Sequence, residues 1–131
     1  MSPPGKHVLL VDDDPRVLEM LGEYFATEYS AYAVLTANNG ADGVELARAH
    51  RPALILLDIE MPVMNGVAAL REIKKVAKGI PVVMVTGQDD VKVLAETLKG
   101  EAFSYLPKPV NFAYLNHIVG SVLGAPSPRR K

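Results

Sequence analysis

Val8-Leu9-Leu10-Val11 and Leu54-Ile55-Leu56-Leu57 are apolar at every position, and each run stops abruptly on carboxylates, Asp12-Asp13-Asp14 after the first and Asp58 after the second. A strand with one wetted face alternates apolar and polar residues, so an unbroken apolar run of strand length implies cover on both faces. Ala33-Val34-Leu35-Thr36, Val82-Val83-Met84-Val85 and Phe103-Ser104-Tyr105-Leu106 supply three more strand candidates.

Helix signals lie between these runs. Asp14-Pro15 offers a capping side chain followed by proline at the first helical position, and Val17, Leu18, Leu21, Tyr24 and Phe25 recur at spacings of three and four. Asn38-Asn39-Gly40 turns the chain into a second helix through Val44, Leu46 and Ala47, which Arg51-Pro52 stops. After a loop from Met61 to Gly66, Leu70, Ile73 and Val76 mark a third helix that Asn65-Gly66 opens and Gly79 is expected to end. Val91, Leu94 and Leu98 mark the fourth, and Asn111 caps the fifth, which carries Phe112, Leu115, Ile118, Val119 and Val122. Five strands alternating with five helices predict an α/β fold: a parallel sheet with helices on both faces, because each crossover is right-handed and carries a helix.

With 131 residues the chain is expected to form one domain over residues 7–123. Residues 1–6 read as a flexible segment, and 124–131, Pro-rich and ending Arg129-Arg130-Lys131, as a tail or the start of a linker. Fourteen basic and fifteen acidic side chains leave a net charge of −1, which gives no general reason to bind nucleic acid or an anionic membrane. The absence of cysteine excludes disulfides, thiolate metal sites and a cysteine nucleophile. No signal-peptide or membrane-span run is present, so a cytoplasmic location is the expectation.

Ligands of doubly wound sheets sit outside the carboxyl ends of the strands, which selects Asp12, Asp13, Asp58, Thr86 and Lys108. Three neighbouring carboxylates require a counter-charge, and oxygen donors without thiolates suit Mg²⁺ or Mn²⁺. A hard cation, an ammonium and a hydroxyl around one carboxylate are the parts that stabilise phosphoryl oxygens during transfer. Asp58 stands alone after its strand and is the expected nucleophile; Asp12 and Asp13 are better placed as metal ligands. Taken singly, each of these residues has a structural explanation as a cap, strand end or loop. Their joint placement at one sheet edge carries the functional reading. His7, His50 and His117 have no ligand spacing and are expected to be surface or hydrogen-bonded histidines.

Four blocks now carry a resemblance: Val11-Asp12-Asp13-Asp14-Pro15, the stretch from Leu57-Asp58 to Asn65-Gly66, Val85-Thr86-Gly87, and Tyr105-Leu106-Pro107-Lys108-Pro109. In that order they resemble the response regulator receiver domain of two-component signalling. The resemblance implies a flavodoxin-like strand order 2-1-3-4-5, an order the family itself exemplifies. It implies Asp58 as phosphoacceptor, with Asp13, Asp58 and the main-chain carbonyl of Glu60 as Mg²⁺ ligands and Asp12 reaching the metal through water. Thr86 and Lys108 would bind phosphoryl oxygens, and Tyr105 would be the switch aromatic. Glu60 and Gln88 would tune the lifetime of the phosphoaspartate. The Lys108-Pro109 peptide resembles one that the family holds cis. The implied partners are a histidine kinase or phosphotransfer protein and an unidentified effector, reached through the face of the fourth helix, fifth strand and fifth helix, where a homodimer could also form.

The chain departs from the family pattern at Glu101-Ala102, where Gly-Ala is frequent, and at Ala53 and Val110. Two rival readings have different sequence requirements. A Mg²⁺-dependent phosphatase of the aspartyl-phosphate type would need a second aspartate two residues beyond the nucleophile, where Glu60 stands. A receiver-like module without phosphorylation would have no need for the intact set of acids, threonine and lysine.

Overall fold

The computed structural model describes residues 5–61, 64–87, 91–98 and 101–126. Its strands are β1 (His7–Val11), β2 (Ala33–Ala37), β3 (Leu54–Asp58), β4 (Val82–Gly87) and β5 (Ser104–Lys108). They form one parallel sheet in the order β2-β1-β3-β4-β5. The helices are α1 (Pro15–Glu28), α2 (Gly40–His50), α3 (Gly66–Val76), α4 (Val91–Thr97) and α5 (Phe112–Leu123). Four of them run 11 residues or more, and the described part of α4 spans 7.

The apolar runs are unbroken because alternate side chains enter different cores. Leu9, Val11, Ile55, Leu57, Val82 and Met84 pack with Ala47 of α2, Ala69, Leu70 and Ile73 of α3, and Leu94 of α4. Val8, Leu10, Leu54, Leu56, Val83, Val85 and Leu106 pack on the other face with Leu21, Tyr24 and Phe25 of α1 and Leu115, Ile118 and Val119 of α5. The edge strands β2 and β5 are less buried than β1, β3 and β4, as their side positions require.

Helix starts follow the capping residues closely. Asp14 Oδ1 accepts from the Arg16 N–H at 2.9 Å, Asn39 from Asp42 at 2.8 Å, Asn65 from Ala68 at 2.9 Å and Asn111 from Tyr114 at 3.0 Å. Each satisfies an N–H that the first turn leaves free, worth about 1 kcal/mol. Two expected boundaries differ. α3 ends at Val76 with Ala77 as its C-cap, because the Ala77 N–H already closes onto Ile73; Gly79, at φ +92°, supplies the left-handed turn beyond it. β5 starts at Ser104 rather than Phe103, whose side chain is exposed. The departure at Glu101 is accommodated by an ion pair with Arg71 of α3 at 3.5 Å.

Gly66 connects fold to site. A Cβ there would lie 2.3 Å from the Asp58 carbonyl oxygen and 2.6 Å from the Ile59 Cα, both backbone atoms that cannot swing aside. Gly66→Ala is therefore expected to destabilise the domain by about 3 kcal/mol in urea unfolding. Gly22→Ala, in α1 with nothing within 4 Å of the added Cβ, should instead stabilise it by about 0.5–1 kcal/mol. Equal midpoints for the two variants would contradict this account of Gly66.

Candidate functional site

The parallel register carries the selected residues to one edge. Asp58 ends β3 opposite Val85, Thr86 follows opposite Pro107, and Lys108 pairs in register with Gly87. Asp12 and Asp13 follow β1, whose Val11 lies beside Leu57. The carboxylates of Asp12, Asp13 and Asp58 offer oxygens that all lie within 4.8 Å of one another. Asp12 and Asp58 are each 3% exposed, while Asp13 is open to solvent. Asp14 belongs to the cap of α1, where it also pairs with the Arg16 guanidinium at 3.2 Å.

Lys108 places one ammonium between the two buried acids, 3.3 Å from Asp12 Oδ2 and 3.3 Å from Asp58 Oδ1. Asp12 is held further by the Asp14 N–H, which donates to its Oδ1 at 2.9 Å. Burial and the neighbouring Asp12 carboxylate push Asp58 up to about 6, against the opposing pull of Lys108 and of the Glu60 N–H that donates to it. Burial works against the charge on Lys108, yet Asp12 and Asp58 hold its proton more tightly than usual. A single ammonium thus serves two buried carboxylates, and the edge remains short of positive charge. An all-oxygen donor set with that deficit fits a hard divalent cation.

Thr86 is 2% exposed, and its Oγ1 has no hydrogen-bond partner among the described residues. A buried hydroxyl without a partner is costly, so one at a functional edge points to an acceptor that arrives with the ligand. Tyr105 is half-buried and packs against the core on the α2 and α3 side; burial, then Glu101, raises its hydroxyl pKa. Glu60 is exposed two residues past Asp58. Gln88 lies outside the described residues, as do Pro62 and Val63 of the loop after β3. The Lys108-Pro109 peptide is cis.

The structure adds features that the chain's motifs did not show. Gly66 lets α3 touch the backbone of the strand that carries Asp58, a role whose only sequence signal is the Asn65-Gly66 pair. A cleft of about 660 Å³ opens beside Asp13, between Pro15 and Leu18 of α1 and Asp42, Glu45 and Leu46 of α2. His7 departs from expectation: it is buried, and its Nδ1 has no hydrogen-bond partner among the described residues.

A doubly wound flavodoxin-like sheet with an acidic edge, a threonine and a lysine defines a class of protein, and comparison identifies the family within it. The sequence profile of the response regulator receiver domain matches residues 8–120, and the chain belongs to that family. Protein PilH of Pseudomonas aeruginosa is 39% identical over 118 residues, which cover 88% of this chain and 96% of that protein. The transcriptional regulatory protein GlrR of Escherichia coli K12 is 34% identical over 128 residues, 98% of this chain but 28% of that protein. The chain spans 26–28% of the length of three E. coli regulatory proteins that it matches. Among solved structures, the Vibrio cholerae chemotaxis protein CheY4 superposes with a TM-score of 0.76 at 27% identity, covering 91% of this chain and 99% of that one. A receiver domain from Clostridium thermocellum gives 0.79 at 27% identity, covering 89% and 93%.

The raised Asp58 sets a pH dependence in metal-free protein. The native state binds this proton more tightly than the unfolded chain, so the group's contribution is complete below its ordinary value of 3.8 and is lost as pH rises through about 6. In EDTA-treated samples, the melting temperature of wild type relative to Asp58→Asn should fall from pH 4 to pH 7. Millimolar Mg²⁺ should reverse the fall. A flat difference across that range would show that Asp58 carries no excess charge cost.

Proposed function

We propose that residues 7–123 act as a phosphorylation-controlled switch in which Asp58 accepts a phosphoryl group from the phosphohistidine of a histidine kinase or phosphotransfer protein. Receiver domains of this family interact with such kinases and with downstream effectors. The observation that carries the reading for this chain is the buried Thr86 hydroxyl, without a hydrogen-bond partner among the described residues, on the strand between those that carry Asp58 and Lys108.

An Asp58 carboxylate oxygen attacks phosphorus, the phosphorus–nitrogen bond to the donor imidazole breaks, and its electron pair stays on that nitrogen. Asp13, Asp58 and the main-chain carbonyl of Glu60 would hold Mg²⁺ at this edge, with Asp12 reaching it through water. The cation, when bound, neutralises charge on the phosphoryl oxygens. Lys108 exchanges one of its two carboxylate partners for a phosphoryl oxygen, and Thr86 donates its hydroxyl to another. Movement of Thr86 toward the phosphoryl group opens room behind it, and Tyr105 follows. The face of α4, β5 and α5 then presents a changed surface to the effector. Glu60 and Gln88, which follow Asp58 and Thr86 by two residues in the sequence, set how long the phosphoaspartate lasts.

Incubation with Mg²⁺ and acetyl phosphate should add the mass of one phosphoryl group to wild type and nothing to Asp58→Asn. Lys108→Met should slow the reaction about a hundredfold. Thr86→Ala should accept the group while losing the accompanying NMR shifts at Tyr105 and α5. Equal labelling of Asp58→Asn, or no labelling of wild type, overturns the proposal.

A further inference from the structure

The end of the sheet opposite the acidic edge carries a second cluster of potential ligands. In β1 the side chains of His7, Leu9 and Val11 share one face, because strand side chains alternate. Leu9 and Val11 enter the core that holds Ala47 of α2. α2 runs antiparallel to β1 and lies close against it: a Cβ on Gly43 would meet the Val11 side chain at 2.9 Å. From Val11 back to His7 the strand covers about 13 Å. From Gly43 forward to His50 the helix covers about 10 Å. The two histidines are thereby brought to the same level, with ring centroids 5.0 Å apart and ring planes 56° apart.

His7 is 8% exposed, and its Nδ1 is one of three buried side-chain atoms without a hydrogen-bond partner among the described residues. Of the other two, Thr86 Oγ1 belongs to the phosphoryl site and Glu101 Oε2 lies 3.5 Å from the Arg71 guanidinium. The imidazole nitrogen therefore stands as an unexplained buried polar atom next to a second imidazole. His50 is half-buried, which leaves an approach from solvent.

We infer that His7 and His50 form a binding site for a borderline transition-metal ion such as Zn²⁺, coordinated through His7 Nδ1 and a ring nitrogen of His50. Zn–N bonds of about 2.0–2.1 Å put each ring centroid about 3.2 Å from the ion, so a tetrahedral angle separates two centroids by about 5.2 Å. The observed centroid separation of 5.0 Å is close to that spacing. Neutral imidazole suits Zn²⁺ and discriminates against Mg²⁺, the hard cation that suits the acidic edge. The site lies at the C-terminus of α2, where the helix dipole favours a cation. The flanking Arg51 guanidinium is turned toward the Val76 carbonyl of α3, 3.4 Å away. Water completes the coordination, and the bound ion ties the start of β1 to the end of α2.

The test titrates ZnCl₂ into the EDTA-stripped and dialysed chain with Mg²⁺ in millimolar excess to fill the acidic edge, reading heat and imidazole ¹⁵N shifts. One equivalent should bind, shifting His7 Nδ1 and a His50 ring nitrogen together. His50→Gln, at a half-exposed position that leaves the core intact, should weaken binding at least about tenfold. His7→Gln should do the same, and His117→Gln should bind as wild type. Zn²⁺ should also raise the melting temperature of wild type and of Asp58→Asn but not of His50→Gln. Unshifted imidazoles, shifts confined to the acidic edge, or a His50→Gln variant that binds as tightly as wild type would each overturn the inference.

Discussion

Two buried carboxylates share one ammonium at the carboxyl end of the sheet, and the organisation of the domain follows from that imbalance. Asp12 and Asp58 sit 3.3 Å from the same Lys108 nitrogen, in surroundings too dry for either acid to be solvated separately. An uncompensated buried charge costs several kcal/mol, so the site is poised to take up further positive charge. Once a cation is present, the same edge can hold the added negative charge of a phosphoryl group. In the proposed function, that deficit would couple metal binding to modification, and both to the elements that carry the three residues.

Those elements are held tightly for a reason that is largely backbone. Asp58 ends a strand buried on both faces, so it has no freedom to retreat toward solvent. Gly66 brings α3 within contact of the Asp58 carbonyl, which a side chain of any size would prevent. Lys108 and Thr86 come from neighbouring parallel strands whose register sets Lys108 one residue beyond Thr86 at the same end of the sheet.

The opposite ends of the sheet offer chemically different ligands. Three carboxylates at one end suit a hard cation, and two imidazoles at the other suit a softer one. Both follow from the same construction, in which strand ends bring side chains from distant positions together while the core between them stays apolar.

Much of this was legible from residue order alone. The unbroken apolar runs implied two-sided burial, and Asp14, Asn39, Asn65 and Asn111 announced helix starts because a cap is a local hydrogen bond. The acidic edge was legible because residues following parallel strands must share an end of the sheet. Boundaries were less so: α3 ended before Gly79 because the Ala77 N–H closed the last turn first, a competition between hydrogen bonds that composition does not reveal. Local pattern thus determined which residues stand at which end of the sheet. Tertiary structure alone decided what they meet: that Lys108 is divided between two acids, that the Thr86 hydroxyl is buried without a partner among the described residues, and that His7 and His50, without ligand spacing along the chain, lie side by side. Burial and pairing depend on contacts between distant segments, and those exist only once the sheet has closed its register and the helices have packed against it.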